Sequence, residues 1–318
     1  MKNNSNMKKI LVVYNISGIV RELWDMWESH LINILNQKYE NYHVCVSGCK
    51  ISDQIKTKFK EIQKKYPNKL SLVFTDDIHP VNVTFNKACI IMSENNHYDG
   101  YLYVASDVNF TEYDNVITDL VNLHFSKNSG ITSAVVNYDS GIVPWMGEFV
   151  FNVILEQDHY KIPIGKSCNM HCMLFDRKFF DSFSSKIIPD IFRSYCTESV
   201  FSFLTASINK NFMIHKKNLM LLHVGHADGS SGGFQGYRGW KDLYLSKIPV
   251  EERLMTNEAR ECGFGYEECG NVFMHDVTKY NPDDTIKLPK RLFDFIKKNL
   301  YLSNEELNYD EIKTEVWI

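Results

Sequence analysis

Between Lys9 and Ala105 the apolar residues switch period again and again, from the short continuous or alternating runs of strands to the three-and-four spacing of helices. Lys9 to Tyr14 is apolar and β-branched, which predicts a buried strand. Leu23, Trp27, Leu31, Ile34 and Leu35 then recur at helical spacing and predict an amphipathic helix over Arg21 to Gln37. Tyr42 to Ser47 alternates as a second strand. Ile55, Phe59, Ile62 and Tyr66 mark a second helix that Pro67 and Asn68 end. Leu70 to Phe74 reads as a third strand, Val83 to Ser93 as a third helix and Tyr101 to Ala105 as a fourth strand. Strands that alternate with helices in this way must pair in parallel through crossovers, which puts helices on both faces of the sheet. The fold class is therefore α/β, with a mostly parallel central sheet.

The second half is less regular. Val116, Leu120 and Leu123 predict a helix over Thr111 to Asn122, and Ile131 to Val136 is strand-like. Val143 to Gly147 reads as a loop in which Trp145 and Met146 offer a surface for stacking. Met170 to Phe175 alternates as a strand, and Phe179, Phe180 and Phe183 mark a short helix. Glu198 to Ile208 is helical, and Phe212 to Val224 carries one or two strands. Ala227 to Trp240 is rich in Gly and Ser, a loop long enough to close over a ligand. Pro289 to Leu300, with Lys290, Arg291, Lys297 and Lys298, is a basic amphipathic helix whose charged face could lie on an anionic membrane.

Composition narrows the function. With 318 residues, 44% of them hydrophobic, the chain can bury one large core or two smaller ones. A net charge of −4 supplies no basic field and argues against nucleic acid as a partner. The apolar run from Ile10 to Tyr14 is too short for a signal peptide or a membrane span, so a soluble, cytoplasmic chain with a loose polar start over residues 1–8 is expected. Without a secretion signal, the eight cysteines are read as buried thiols. Cys168, His171 and Cys172 have the look of a metal cluster, but the stretch alternates as a strand and no second pair completes four ligands. Cys262 and Cys269 carry no stronger signal.

The chemistry concentrates after the fourth strand. Tyr101 to Ala105 runs directly into Ser106, Asp107 and Asn109. An acid at the carboxyl end of a buried strand stands where open α/β sheets bind ligands, and oxygen donors there suit a hard metal ion or a diphosphate. The same acid would also be favoured simply by the start of the following helix.

The region Lys9 to Phe110 resembles the nucleotide-sugar-binding half of glycosyltransferase family 2, which has the GT-A fold. The likeness rests on the strand end Tyr14-Asn15, on the helix closing in Leu31-Ile-Asn-Ile-Leu-Asn-Gln-Lys-Tyr-Glu-Asn41, and on Asn82 with Thr84-Phe-Asn86-Lys-Ala88 ahead of the acidic strand end. The family's Asp-x-Asp reads here as Ala105-Ser106-Asp107, so the first acid is missing and Asn109 offers a second oxygen. The family's aspartate after the second strand is replaced by the stretch Ser47 to Asp53.

The resemblance implies a nucleotide-diphospho-sugar transferase fold, with a nucleotide-sugar-binding half over 9–110, an acceptor-binding and catalytic half over 111–270, and a C-terminal helical extension over 271–318. It implies a hexosyltransferase of polysaccharide biosynthesis, with a UDP-sugar donor and a glycan or glycolipid acceptor. Tyr14, Asn15, Asn86, Ser106, Asp107 and Arg238 would bind the donor. Mn2+ or Mg2+ would sit on Asp107 and Asn109 with His223 or His226. Glu198, opening a helix after Thr197, would be the base of an inverting reaction. Arg238 lies in Gln235-Gly-Tyr-Arg238-Gly-Trp240, similar to the Gln-x-x-Arg-Trp element of processive members with one extra residue. A sugar nucleotidyltransferase is the nearest alternative, but Asn15 to Arg21 holds one Gly and no Lys cluster. A non-catalytic sugar-binding module is the other, kept open by Ala105.

Overall fold

The computed structural model describes residues 7–17, 24–77, 79, 81–106, 108–110, 113–134, 136–138, 154–155, 159–162, 171–182, 185–188, 201, 204–205, 208, 210–215, 221–223 and 308–318. The first half follows the expected alternation: β1 (Ile10–Ser17), α1 (Trp24–Leu35), β2 (Tyr42–Cys49), α2 (Asp53–Lys65), β3 (Leu70–Thr75), α3 (Val81–Ser93) and β4 (Gly100–Ala105). The four strands pair in parallel, in the spatial order β3-β2-β1-β4. Alternate side chains divide the core between the two faces. Ile10, Val12, Tyr14 and Ile16 of β1 turn to one face, where Trp27, Leu31 and Ile34 of α1 and Ile55, Phe59 and Ile62 of α2 cover them. On the other face Phe85 of α3 meets Tyr103 edge-on at 5.3 Å.

The second half comprises β5 (Val108–Asn109), α4 (Val116–Ser126), β6 (Ser129–Ser133), β7 (Val136–Tyr138), β8 (Ile154–Leu155), β9 (His159–Ile162), β10 (Cys172–Asp176), α5 (Arg177–Ser182), β11 (Asn211–His215) and β12 (Leu221–His223), and a final strand β13 (Thr314–Trp317) follows. Among the described residues one large sheet runs β13-β3-β2-β1-β4-β10-β6-β11-β9-β8, and a small one runs β5-β12-β7. In the large sheet β9, β10 and β13 oppose the direction shared by the other strands, so the sheet is mixed but mostly parallel.

Several expectations are corrected. The single strand Ile131 to Val136 is two strands in different sheets. Ala134 N–H donates to the carbonyl of Cys172, the first residue of β10, so β6 runs out of partner and the chain crosses over. The helix expected from Thr111 starts only at Val116, because Tyr113 N–H closes a turn on Phe110 O first. Met7 and Lys8, expected to be loose, are caught by Asn41 Nδ2 and Tyr39 Oη, which donate to their carbonyls at 2.7 and 2.6 Å.

The end of the 271–318 extension is not helical. A single 3-10 turn (Tyr309–Glu311) leads into β13, which pairs antiparallel with β3 and covers what would be an open sheet edge. Trp317 packs on Phe74 with ring centroids 5.9 Å apart, and Glu315 pairs with the nearly buried Lys56. Among the described residues no helix is long and apolar enough to cross a membrane.

Candidate functional site

Asn15 of β1 lies in register with Ala105 of β4, so the carboxyl ends of two adjacent parallel strands open on one rim. Ser106 continues directly from β4, and its carbonyl is held from two sides. Tyr14 Oη donates to it at 2.8 Å, and His30 Nδ1 lies 3.0 Å away. A carbonyl only accepts, so His30 carries its proton on Nδ1 here. Three residues on, Asn33 Nδ2 donates to Asn109 Oδ1 at 3.3 Å. Ala105 N–H is fixed by the carbonyl of His171 at 2.8 Å.

The small sheet brings a late strand to this rim. Asn109 pairs with Leu222 and Val108 with His223, antiparallel, while β12 also pairs in parallel with β7. The backbone position of His223 is therefore set directly beside the segment that follows β4. Over a hundred residues of intervening chain separate these positions, and only the sheet register brings them together.

The strand-end pair splits between faces, as successive strand residues must. Tyr14 turns to the α1 side. Asn15 turns to the α3 side, where its amide donates to Val81 O at 2.8 Å and Thr84 Oγ1 at 3.0 Å. Asn86 is fully buried and serves the fold with both amide atoms. Its Nδ2 donates to Ile188 O and Tyr309 Oη, and its Oδ1 accepts from Ile187 N–H and Ile188 N–H. Asp107, His226, Arg238 and Glu198 lie outside the described residues, as do Trp145, Met146 and the Pro289–Leu300 segment.

Sequence reasoning missed His30, Asn33 and Gln37. Their signal is a polar series at helical spacing inside an otherwise apolar pattern. His30 and Gln37 are nearly as buried as the leucines beside them, at 3% and 5% exposed.

The remaining buried charges sit elsewhere. Asp176 pairs in register with Gly100, the first residue of β4 and thus the end remote from the rim. Burial alone would raise the Asp176 pKa, but His124, Lys210 Nζ at 2.8 Å and the Lys178 N–H at 2.8 Å outweigh it and bring it to about 2. Burial pushes the His124 imidazole pKa down, 3.7 Å from the carboxylate. Cys45, Cys89 and Cys172 are buried, and desolvation pushes all three thiols well up, which suits core packing rather than metal binding. Among the described residues no three His, Cys, Asp or Glu side chains gather closely enough to hold a metal.

The backbone arrangement has solved counterparts. A Pyrobaculum calidifontis mannosyltransferase, PcManGT, solved with GDP-Man and Mn2+, matches 83% of this chain and 67% of its own at TM-score 0.54 and 12% identity. GalNAc-T7 with UDP, GalNAc and Mn2+ matches 93% of this chain and 56% of its own at TM-score 0.52 and 10% identity. S. aureus TarS, residues 1–349, matches 79% of this chain and 77% of its own at TM-score 0.50 and 11% identity.

The chain has the GT-A fold.

No protein-family model and no curated sequence matches it, so the likeness lies in the path of the backbone. In this GT-A fold the parallel β3-β2-β1-β4 unit supplies one side of the rim, and β5, β7 and β12 supply the other. The rim residues described here, Tyr14, Asn15, Ser106 and Asn109, stand at the junction of the two.

Proposed function

We propose that this chain is a glycosyltransferase that moves a sugar from a nucleotide-diphosphate donor, a UDP-sugar in the first instance, to a hydroxyl of a glycan or glycolipid. The observation that carries the reading is the β5–β12 register, which pairs the backbone of His223 with Val108 and that of Leu222 with Asn109 at the rim of a GT-A sheet. Solved neighbours of the same fold hold GDP-Man or UDP together with Mn2+, which supports a nucleotide-sugar donor and a divalent ion.

Asn109 Oδ1 accepts from Asn33 Nδ2 and keeps a second lone pair, a ligand type that suits a hard divalent cation. Asp107 and Asn109, with His223 or His226, would hold Mn2+ or Mg2+. When bound, such an ion neutralises charge that builds on the leaving diphosphate. Arg238 adds a fixed cation for the same oxygens. Tyr14, Asn15 and Ser106 shape the floor beneath the nucleotide, and Asn86 braces α3 behind Asn15. Glu198 takes the proton of the acceptor hydroxyl as it attacks the anomeric carbon, which inverts that carbon. The basic Pro289–Leu300 segment fits a protein that works at the inner face of an anionic membrane.

The test is turnover against a panel of nucleotide sugars, with Glu198→Gln alongside. Glu198→Gln is expected to bind donor normally and to lose transfer. Transfer from no donor in the panel by the wild type would sink the reading, and near-normal turnover by Glu198→Gln would remove Glu198 from the role of base.

A further inference from the structure

A helix that faces a core is expected to present apolar residues there. On the buried side of α1, His30 and Asn33 interrupt that pattern, and the buried Gln37 follows two residues past the helix end at Leu35. His30 Nδ1 donates to Ser106 O at 3.0 Å, Asn33 Nδ2 to Asn109 Oδ1 at 3.3 Å, and Gln37 Nε2 to Tyr113 O at 2.5 Å. Each partner lies 76 positions further along the chain. The series continues into Lys38, whose N–H donates to Asp114 O at 2.8 Å and whose ammonium pairs with the Asp114 carboxylate.

The constant offset means that the two segments run alongside each other in the same direction. His30 and Asn33 reach the later segment from α1 and Gln37 from just past the helix end, so the three donors meet Ser106, Asn109 and Tyr113 in chain order. The arrangement also has a cost that packing alone does not explain. Gln37 is buried, yet its Oε1 has no partner among the described residues. Apolar residues at these positions would remove that cost, so what is gained must come from the donors themselves.

We propose that His30, Asn33 and Gln37 form a rail of positioning residues that sets the place and orientation of the segment 106–113. Asn33 has the most specific part, because its N–H holds the Asn109 amide with Oδ1 turned towards α1. The proposal deepens the reading under Proposed function, since that segment is where the donor's diphosphate and its cation would sit.

The test uses the full chain with His30→Leu, His30→Asn and Asn33→Leu, and Lys38→Ala as a control. The first readout is hydrogen exchange. His30→Leu and Asn33→Leu are expected to speed exchange in peptides covering 106–113 while leaving β1 and β2 as slow as in the wild type. His30→Asn, which keeps a donor near the Nδ1 position, is expected to restore slow exchange. Unchanged exchange in both leucine variants would overturn the rail. The second readout is UDP affinity with and without Mn2+. Groups that orient a ligand typically change metal affinity about 10- to 100-fold, so Asn33→Leu is expected to cut the Mn2+-dependent gain about tenfold while UDP alone binds as before. A gain within twofold of the wild type would overturn the part given to Asn33. Absence of any Mn2+-dependent gain in the wild type would instead sink the donor-site reading, and the exchange result would still decide the rail.

Discussion

The unit β1 to β4 and the unit β6 to β12 build by different rules, the first wholly within the large sheet and the second divided between it and the small one. In the first, α1 and α2 join neighbouring strands, α3 carries the chain back across the sheet to set β4 beside β1, and each element follows from local period. In the second, β10 enters between β4 and β6, and β11 returns to β6 from some eighty residues away, so chain order and spatial order part company. The regular unit supplies a fixed rim. The irregular one supplies strands that can be brought to that rim from far along the chain, as β12 is brought beside β5.

The largest expected effect breaks the regular unit. Phe59 is fully buried between Trp27 at 6.5 Å and Phe74 at 5.9 Å, so Phe59→Ala should cost about 3–5 kcal/mol, read as a lower midpoint in urea. If the two units fold as one, tryptophan fluorescence and circular dichroism will shift together. Two separated transitions would show that the second unit holds itself up.

Acid should strain the fold in two pH windows. Burial brings the His43 pKa from 6.5 to about 4, and burial also lowers that of His124. Below pH 6.5 the unfolded chain therefore binds protons that the fold refuses, and stability falls as pH drops from 6.5 towards 4, by at most about 3 kcal/mol for His43. Asp176, held at about 2 against an unfolded 3.8, keeps its contribution above pH 3.8 and loses it only as pH falls from there towards 2. Urea unfolding at pH 7 and pH 5 should show a smaller difference for His43→Asn than for the wild type, and an equal difference would contradict this.

A smaller effect tests the seam. Asn86 sits on α3 of the regular unit but holds the backbone N–H groups of Ile187 and Ile188 in the other. Asn86→Leu should cost about 2 kcal/mol by leaving those donors unpaired, with faster hydrogen exchange at 187–188 than in β2. The smallest effect is Lys38→Ala. Its ion pair with Asp114 is exposed on both sides, so the midpoint should move by no more than about 0.5 kcal/mol.

The regular unit was legible because each strand and helix there carries its own period, and the predicted spans agree with β1 to β4 to within a few residues. The C-terminal strand was not legible, because Thr314 to Trp317 joins the sheet only by covering β3, a pairing across more than two hundred residues. The same holds for β5, too short to show a period, and for the pairing of β12 with it, although the strand itself falls within the expected Phe212 to Val224. At the site, Tyr14, Asn15, Ser106 and Asn109 were found at a strand end by pattern, and they do share the rim. His30 and Asn33 were passed over because a polar residue in a helix pattern reads as its solvent face until the packing shows otherwise.

The measurement that bears most directly on the proposed donor site is the calorimetric titration of UDP with and without Mn2+, on the wild type and on Asp107→Asn. The reading predicts tighter binding with Mn2+ in the wild type and loss of that gain in Asp107→Asn. Equal metal-dependent affinity in the two proteins would contradict it.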